Sequence, residues 1–363
     1  MTLGCFAPLP PARTGVADYA AALLRALRPR VDVRVNAPGD VDLYHIGNNG
    51  LHRGIYRRAL ARPGVVILHD AVLHHLLLGA LSEKAYLEEF VYNYGEWRRQ
   101  LAGELWQGRA RSAADARYFE YPMLRRLVER SRAVIVHNPA AASRVRRHAE
   151  RVRVSEIPHL FEQPELPPAY EVIRLRAALG VPATSFICGV FGHLRESKRL
   201  WSVLRALEQV PGCRLLLAGE FASRDLERAI TPALRQSRIL RTGHLPERDF
   251  WLHACAVDAC INLRYPSAGE SSGIVVRLMG IGKPVVVTAG EETSAFPEDA
   301  VVRVDPGPAE TSMLAHALAW LSQNPEKARE IGRRARAFIA GRHSPDRVAA
   351  RVIEVVRQAL PSQ

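Results

Sequence analysis

ACINLRYPSAGESSGIVVRLMGIGKPVVVT, residues 259–288, is the stretch that decides the fold. ACINLR begins as an apolar run of strand length and breaks into a polar, glycine-containing loop. GIVVRLMGIG then carries helical spacing, and PVVVT is a second apolar strand. Strand, helix and strand within about thirty residues make a βαβ unit, which forces parallel strands. The same alternation continues outward. Upstream lie SFICGVFG, a helix near 198–208, CRLLLAGE, a helix near 223–235, RILRTG and a helix near 246–254; downstream come AVVRV and two helices near 309–340 and 345–360.

The N-terminal half repeats the pattern. TLGCFA, VDVRVN, VDLYHIG, GVVILHD, AVIVHN and RVSEIPHLF read as strands, with a helix from about Asp18 to Leu27 and a largely helical stretch over 72–130. Between the halves, EQPELPPAY (162–170) is proline-rich and polar, as linkers are. The expectation is an α/β chain of two Rossmann-like domains with mostly parallel sheets, 1–165 and 171–343, the last helix (345–363) packing back on the first. Ligand loops sit at strand C-termini in such sheets, so a site is expected in a central cleft between the domains.

Composition narrows the function classes. The chain has 363 residues and a formal net charge of +13, which asks for an anionic partner. Only four lysines occur, so arginine is used almost everywhere and much of that charge solvates helix faces. No nucleic-acid-binding pattern accompanies the charge, and nucleic acid is not expected as a partner. Peripheral contact with an anionic membrane is. No apolar run reaches the length of a membrane span, and the start of the chain has no basic n-region, so a cytoplasmic chain is expected, at most peripheral at the inner face of the membrane. Cys5, Cys188, Cys213, Cys255 and Cys260 are scattered and read as free core thiols.

The loop of the opening segment carries chemistry. Glu270 is a carboxylate able to accept hydrogen bonds from sugar hydroxyls. Ser271, Ser272, Gly273 and Ile274 stand where a helix begins, and the unpaired N–H groups of a helix start suit a phosphate. Read from periodicity alone, the same residues are equally a serine-capped helix with an acid in its first turn.

The segment resembles the signature region of retaining glycosyltransferases of family 4, which have the GT-B fold. Glu270 stands at the loop Glu that opens the family's E-x7-E motif, and MGIGKPVVV resembles the A-M-A-x-G-x-P-V stretch after it. The second Glu is missing: Leu278 is eight residues on, and counting back from Gly282 and Pro284 its place holds Arg277. The chain thus resembles the subset with a G-E-[ST]-S loop. In the family that second Glu meets the nucleotide ribose; Arg277 either contacts a phosphate or lies on the helix surface.

Other segments, from residue 8 to about 290, follow the same order. GHLRESKR (192–199) is similar to the family's G-R-L-x-x-x-K-G, where Arg and Lys neutralise the donor diphosphate: Gly192 and Lys198 match, and His193 replaces the Arg. The resemblance places Gly15 in the first glycine loop, with Asp18 as a candidate cap. It places His69 of LHD near the donor sugar, Gly219 at a strand end, and His244 of RTGHL against the nucleobase. Lys283, like Lys198, falls in a motif-like segment. His74 and His75 read as packing or capping residues. Asp40-Val41-Asp42 is a literal D-x-D but reads as an exposed turn, and no metal site is expected.

The resemblance implies transfer of a sugar from a nucleoside-diphosphate sugar to the hydroxyl of a glycan, a lipid-linked or a small-molecule acceptor. Anomeric configuration is retained, without metal or further cofactor. His69, Glu270 and Lys198 are the implied catalytic set. Tyr86, Tyr92, Tyr94, Trp97, Trp106, Tyr118 and Tyr121 either shape the acceptor side or are helix core. Two other functions fit the same motifs: an inactive GT-B-like glycan- or nucleotide-binding partner, and a sugar-nucleotide epimerase.

Overall fold

The computed structural model describes residues 1–182 and 184–360. The chain divides into two compact units. The first comprises residues 1–162, 266–271 and 342–363, and the second residues 163–265 and 272–341.

In the first unit the strands are β1 (Thr2–Phe6), β2 (Asp32–Val35), β3 (Val41–Ile46), β4 (Val65–Leu68), β5 (Ala133–Val136) and β6 (Val154–Glu156). They form one wholly parallel sheet in the order β2-β1-β3-β4-β5-β6. VVIL in β4 and AVIV in β5 are buried at every position, as parallel strands covered on both faces require. The first helix is α1 (Gly15–Leu27); α2 (Arg53–Ala61) follows β3. Between β4 and β5 run α3 (His74–Ala80), α4 (Glu83–Tyr94), α5 (Arg99–Gly108), α6 (Arg117–Glu120) and α7 (Arg125–Arg130), and α8 (Pro139–His148) joins β5 to β6. Thr14, not Asp18, caps α1: its Oγ1 accepts from the Ala17 N–H at 3.2 Å.

The second unit begins with α9 (Ala169–Ala178). Then come β7 (Phe186–Phe191), α10 (Leu200–Glu208), β8 (Cys213–Ala218), α11 (Arg224–Ile230), β9 (Ile239–Arg241), α12 (Glu247–Ala256) and β10 (Ala259–Asn262). After β10 follow α13 (Gly273–Gly280), β11 (Val285–Thr288), β12 (Val302–Val304), α14 (Glu310–Gln323) and α15 (Pro325–Arg342). Its sheet, also wholly parallel, is ordered β12-β11-β10-β7-β8-β9. The order reverses between β7 and β10, and beyond the carboxyl ends of that pair such sheets bind ligands. The stretch 309–340, read as one helix, is two, because Pro325 cannot continue α14.

The final helix, α16 (Pro345–Gln358), belongs to the first unit. Val348, Ala349, Val352 and Val356 bury against Leu3, Leu23, Leu27 and Ile135 in one core. Among the described residues no helix is long and apolar enough to cross a membrane.

Asp42 departs from the sequence reading. It is not an exposed turn residue but a β3 residue only 2% exposed. Its carboxylate accepts from the Gly39 N–H at 3.0 Å and the Tyr44 hydroxyl at 3.0 Å, and meets Arg62 Nε at 3.0 Å. The D-x-D text therefore marks a strand and its anchor. Among the described residues no group of three or more His, Cys, Asp or Glu side chains is arranged to hold a metal ion.

Candidate active-site residues in the two units

In the second unit, the loop after β7 is shaped by glycine. Gly192 has φ +76°, a region that other residues enter only at a cost, and its N–H donates to Ala218 O at 2.8 Å. Gly219, at the end of β8, packs so closely that a Cβ there would stand 2.1 Å from the Gly192 carbonyl oxygen. A Cβ on Gly192 itself would be 3.5 Å from Ile274 and 3.7 Å from Lys198 Nζ. The β7 loop, the lysine and the start of α13 thus meet within a few ångströms.

Lys198 lies in a short 3-10 turn (196–198) and is 3% exposed, with Nζ donating to the Phe191 carbonyl. Burial, and then the nearby Arg264 and Arg195 guanidinium groups, push its pKa well below the usual lysine range. A buried ammonium held among cations is a group whose charged form an incoming anion would restore. The Tyr265 N–H donates to Ser197 O at 2.9 Å, fastening the turn to the loop beyond β10.

Ser272 is the N-cap of α13, accepting from the Val275 N–H at 3.4 Å. The N–H groups of Gly273 and Ile274 lie in the first turn, where a helix supplies no acceptor of its own. Arg277, on the same helix, donates to Glu247 at 2.6 Å and stacks on Phe250 and Trp251, with 4.0 and 4.3 Å to the ring centroids. These contacts pack α13 against α12. His193 is exposed after Gly192, and His244 is exposed beyond β9, two strands from β7. Lys283 is a peg: Nζ donates to the Cys255 and Val257 carbonyls at 2.7 and 2.6 Å.

In the first unit, the sheet's carboxyl edge carries imidazoles from neighbouring strands. His45 is in β3, His69 and His137 directly follow β4 and β5, and His159 lies beyond β6. Their rings surround Tyr19 of α1, at 5.9, 4.9, 5.0 and 4.7 Å between centroids. His69 is 8% exposed, and its Nε2 lies 3.0 Å from His45 Nδ1. Gly15 is exposed at the first position of α1, with open space where a Cβ would project.

The GESS loop is held by a residue the sequence reading passed over. Asn138, buried after β5, caps α8 by accepting from the Ala141 N–H at 2.8 Å. Its Nδ2 donates to Gly269 O and to Ser271 Oγ, each at 3.0 Å. Glu270 folds back within the loop, accepting from the Ala268 N–H at 2.9 Å. The available signal was the Asn-Pro pair after AVIVH, a helix-start signature.

Among the aromatic residues, Tyr86 and Tyr118 are fully buried core, whereas Trp97 is 73% exposed with the Arg98 guanidinium over its ring. His74 is buried and bonded through its two ring nitrogens to Tyr121 O and the Tyr86 hydroxyl.

HepE from Anabaena, crystallised with UDP and glucose, is 18% identical and superposes with a TM-score of 0.71 over 99% of this chain and 100% of that one. The fold is GT-B. Sucrose-phosphate synthase from Thermosynechococcus elongatus gives 17% identity and a TM-score of 0.68 over 99% and 98% of the two chains. WaaG, a glycosyltransferase involved in lipopolysaccharide biosynthesis, gives 13% and 0.62 over 97% and 99%. Residues 195–354, under half of the chain, match a sequence family described as glycosyl transferase-like. No curated protein matches at the level of sequence.

Proposed function

We propose that the protein is a glycosyltransferase that takes a sugar from a UDP-sugar and passes it to an acceptor hydroxyl with retention of configuration. The observation that carries this reading is the meeting of Gly192, Lys198 and the start of α13 beyond β7. A lysine and the first-turn N–H groups of Gly273 and Ile274 there suit a diphosphate. The GT-B architecture and the glycosyl transferase-like match over 195–354 support it. UDP is favoured because HepE was crystallised with UDP and with UDP-glucose.

In this reading Lys198 and the Gly273 and Ile274 N–H groups balance the charge of the diphosphate, a role a divalent cation fills in other transferases. Glu270 accepts from the donor sugar's hydroxyls, and His69 faces the reacting sugar. The anomeric C–O bond to phosphate breaks, the acceptor oxygen bonds to that carbon on the same face, and the acceptor's proton passes to the leaving phosphate. The protein contributes position and electrostatics, each placed donor being worth on the order of 3 kcal/mol. The acceptor is a glycan, a lipid-linked sugar or a small molecule. Trp97 under Arg98, with the net charge of +13, suits peripheral contact with an anionic membrane at its inner face.

The test is thermal-shift binding of UDP against GDP, ADP, CMP and dTDP, followed by UDP release from UDP-glucose with and without candidate acceptors. Stabilisation by UDP that Lys198→Ala abolishes, and acceptor-dependent turnover that Glu270→Ala abolishes, are expected. One observation favours a second reading, a nucleotide-binding partner without turnover: Arg277 occupies the second-Glu position and is already paired with Glu247. That reading gives the thermal shift but no UDP release.

A further inference from the structure

The carboxyl edge of the first sheet holds more imidazole than the proposed chemistry uses. His45 is completely buried, stacked on His69 at 5.3 Å between centroids with 19° between planes, and its Nδ1 is 3.0 Å from His69 Nε2. The groups facing the pair are imidazoles and a phenol: Tyr19, His137, His159, and His52, whose Nδ1 donates to the His45 carbonyl at 2.9 Å. Such surroundings keep both rings neutral. Burial first, and the neighbouring histidines second, push the pKa of His45 down to about 3 and that of His69 well below its ordinary range.

Between two neutral imidazoles one proton fills the Nδ1···Nε2 bond, which leaves two arrangements. If His69 donates, His45 carries its own proton on Nε2. If His45 donates, Nε2 of His45 is a bare lone pair and His69 carries its own proton on Nδ1. Nε2 of His45 decides between them, because it is wholly buried and has no hydrogen-bond partner among the described residues. An orphaned buried N–H is rarer than an under-used acceptor. We propose that His45 is a positioning residue: it donates Nδ1–H to His69 and so presents His69 to the substrate as an Nδ1–H donor rather than as a base.

The chemistry agrees. A leaving phosphate that collects the acceptor's proton needs no histidine base, and a neutral donor does not repel the positive charge that develops on the sugar ring. The role in transfer rests on the proposed function, but the tautomer does not. The test is therefore spectroscopic first. The full-length protein is labelled with 15N at histidine, His69 is assigned with His69→Gln, and two-bond 1H–15N correlations report which nitrogen is protonated. His69 protonated on Nδ1 in the parent protein is expected. His45→Asn keeps a donor nitrogen at that place and retains the pattern, whereas His45→Leu releases His69 into both tautomers. His69 protonated on Nε2 in the parent, or a His45→Leu spectrum unchanged at His69, overturns the proposal. In turnover assays His45→Leu lowers kcat roughly three- to tenfold with KM little changed, and His45→Asn restores it. Expected spectra with no sugar transfer at all would sink the proposed function and leave the tautomer assignment standing.

Discussion

Lys198→Met separates two properties that usually move together. Lys198 is buried, donates to the Phe191 carbonyl, and is held below the ordinary lysine pKa by burial and by two arginines. A lysine pKa lowered by folding means that the unfolded chain binds the extra proton, so this group opposes folding at neutral pH and its penalty fades as pH rises. Replacing it by an apolar side chain of similar length removes that penalty, and the free protein is expected to be as stable as the parent or more so. Nucleotide binding goes the other way. A charge-assisted hydrogen bond contributes about 1.5–3 kcal/mol, so UDP affinity falls roughly ten- to hundredfold.

The same argument fixes the proton balance. At any pH above the depressed value, a diphosphate that draws Lys198 back to its charged form takes up a proton, toward one per site. Affinity then weakens as pH rises, by up to about tenfold per unit. Calorimetric titrations of UDP in buffers of different ionisation enthalpy read that proton directly. UDP at about 100 times Kd stabilises by about 2.7 kcal/mol, a melting shift of about 5–10 °C for a unit of this size. In Lys198→Met at the same UDP concentration the stabilisation shrinks to about 0.4–1.4 kcal/mol, between about one-sixth and one-half of the parent shift. Equal UDP affinity in both proteins, or no proton uptake in the parent, refutes the reasoning.

Other perturbations follow from the same geometry. Gly219→Ala sets a Cβ 2.1 Å from the Gly192 carbonyl and must move backbone, so it destabilises the second unit in urea more than Gly192→Ala, where the cost is about 1–2 kcal/mol of left-handed backbone. Acid weakens the first unit: His45 at about 3 and His137 and His343 at about 4 stay neutral when folded but protonate near 6.5 when unfolded. Its urea midpoint therefore falls as pH drops from about 6.5 toward 4, and is flat above, by up to about 1.4 kcal/mol per unit for each histidine. Asp42→Ala costs about 2 kcal/mol or more in urea and leaves UDP affinity unchanged, since its bonds anchor β3 to the Gly39 turn and Arg62. Asn138→Ala releases Gly269 and Ser271, and the drop of about tenfold or more expected in kcat/KM exceeds the about 1 kcal/mol lost with the α8 cap.

The strands were legible because parallel strands buried on both faces are continuous apolar words, such as VVIL and AVIV, bounded by polar loops. Pairings between distant residues were not. VDLYHIG, VVILHD and AVIVHN each place a histidine at or just past a strand, but nothing in one strand says that its neighbour in the sheet does the same at the same level. Only the order β3-β4-β5 brings the three rings together. Asn138 was hidden for a related reason: its cap bond is local and readable, whereas its grip on Gly269 spans more than a hundred residues.

The two motif lysines sharpen the limit. Lys198 is buried and Lys283 half-buried, and both are lowered in pKa chiefly by desolvation. By composition and by electrostatics they are the same signal. They differ in what surrounds the nitrogen. Lys283 spends two hydrogen bonds on the carbonyls of Cys255 and Val257, which close the end of α12, and that job is complete without any ligand. Lys198 makes its bond to the carboxyl end of β7, beside the one glycine with positive φ in that loop and the open first turn of α13. A perturbed pKa marks a candidate, and the unfilled donors beside it distinguish a binding group from a structural peg. By that criterion Lys283→Met is expected to leave UDP affinity intact, in contrast to Lys198→Met.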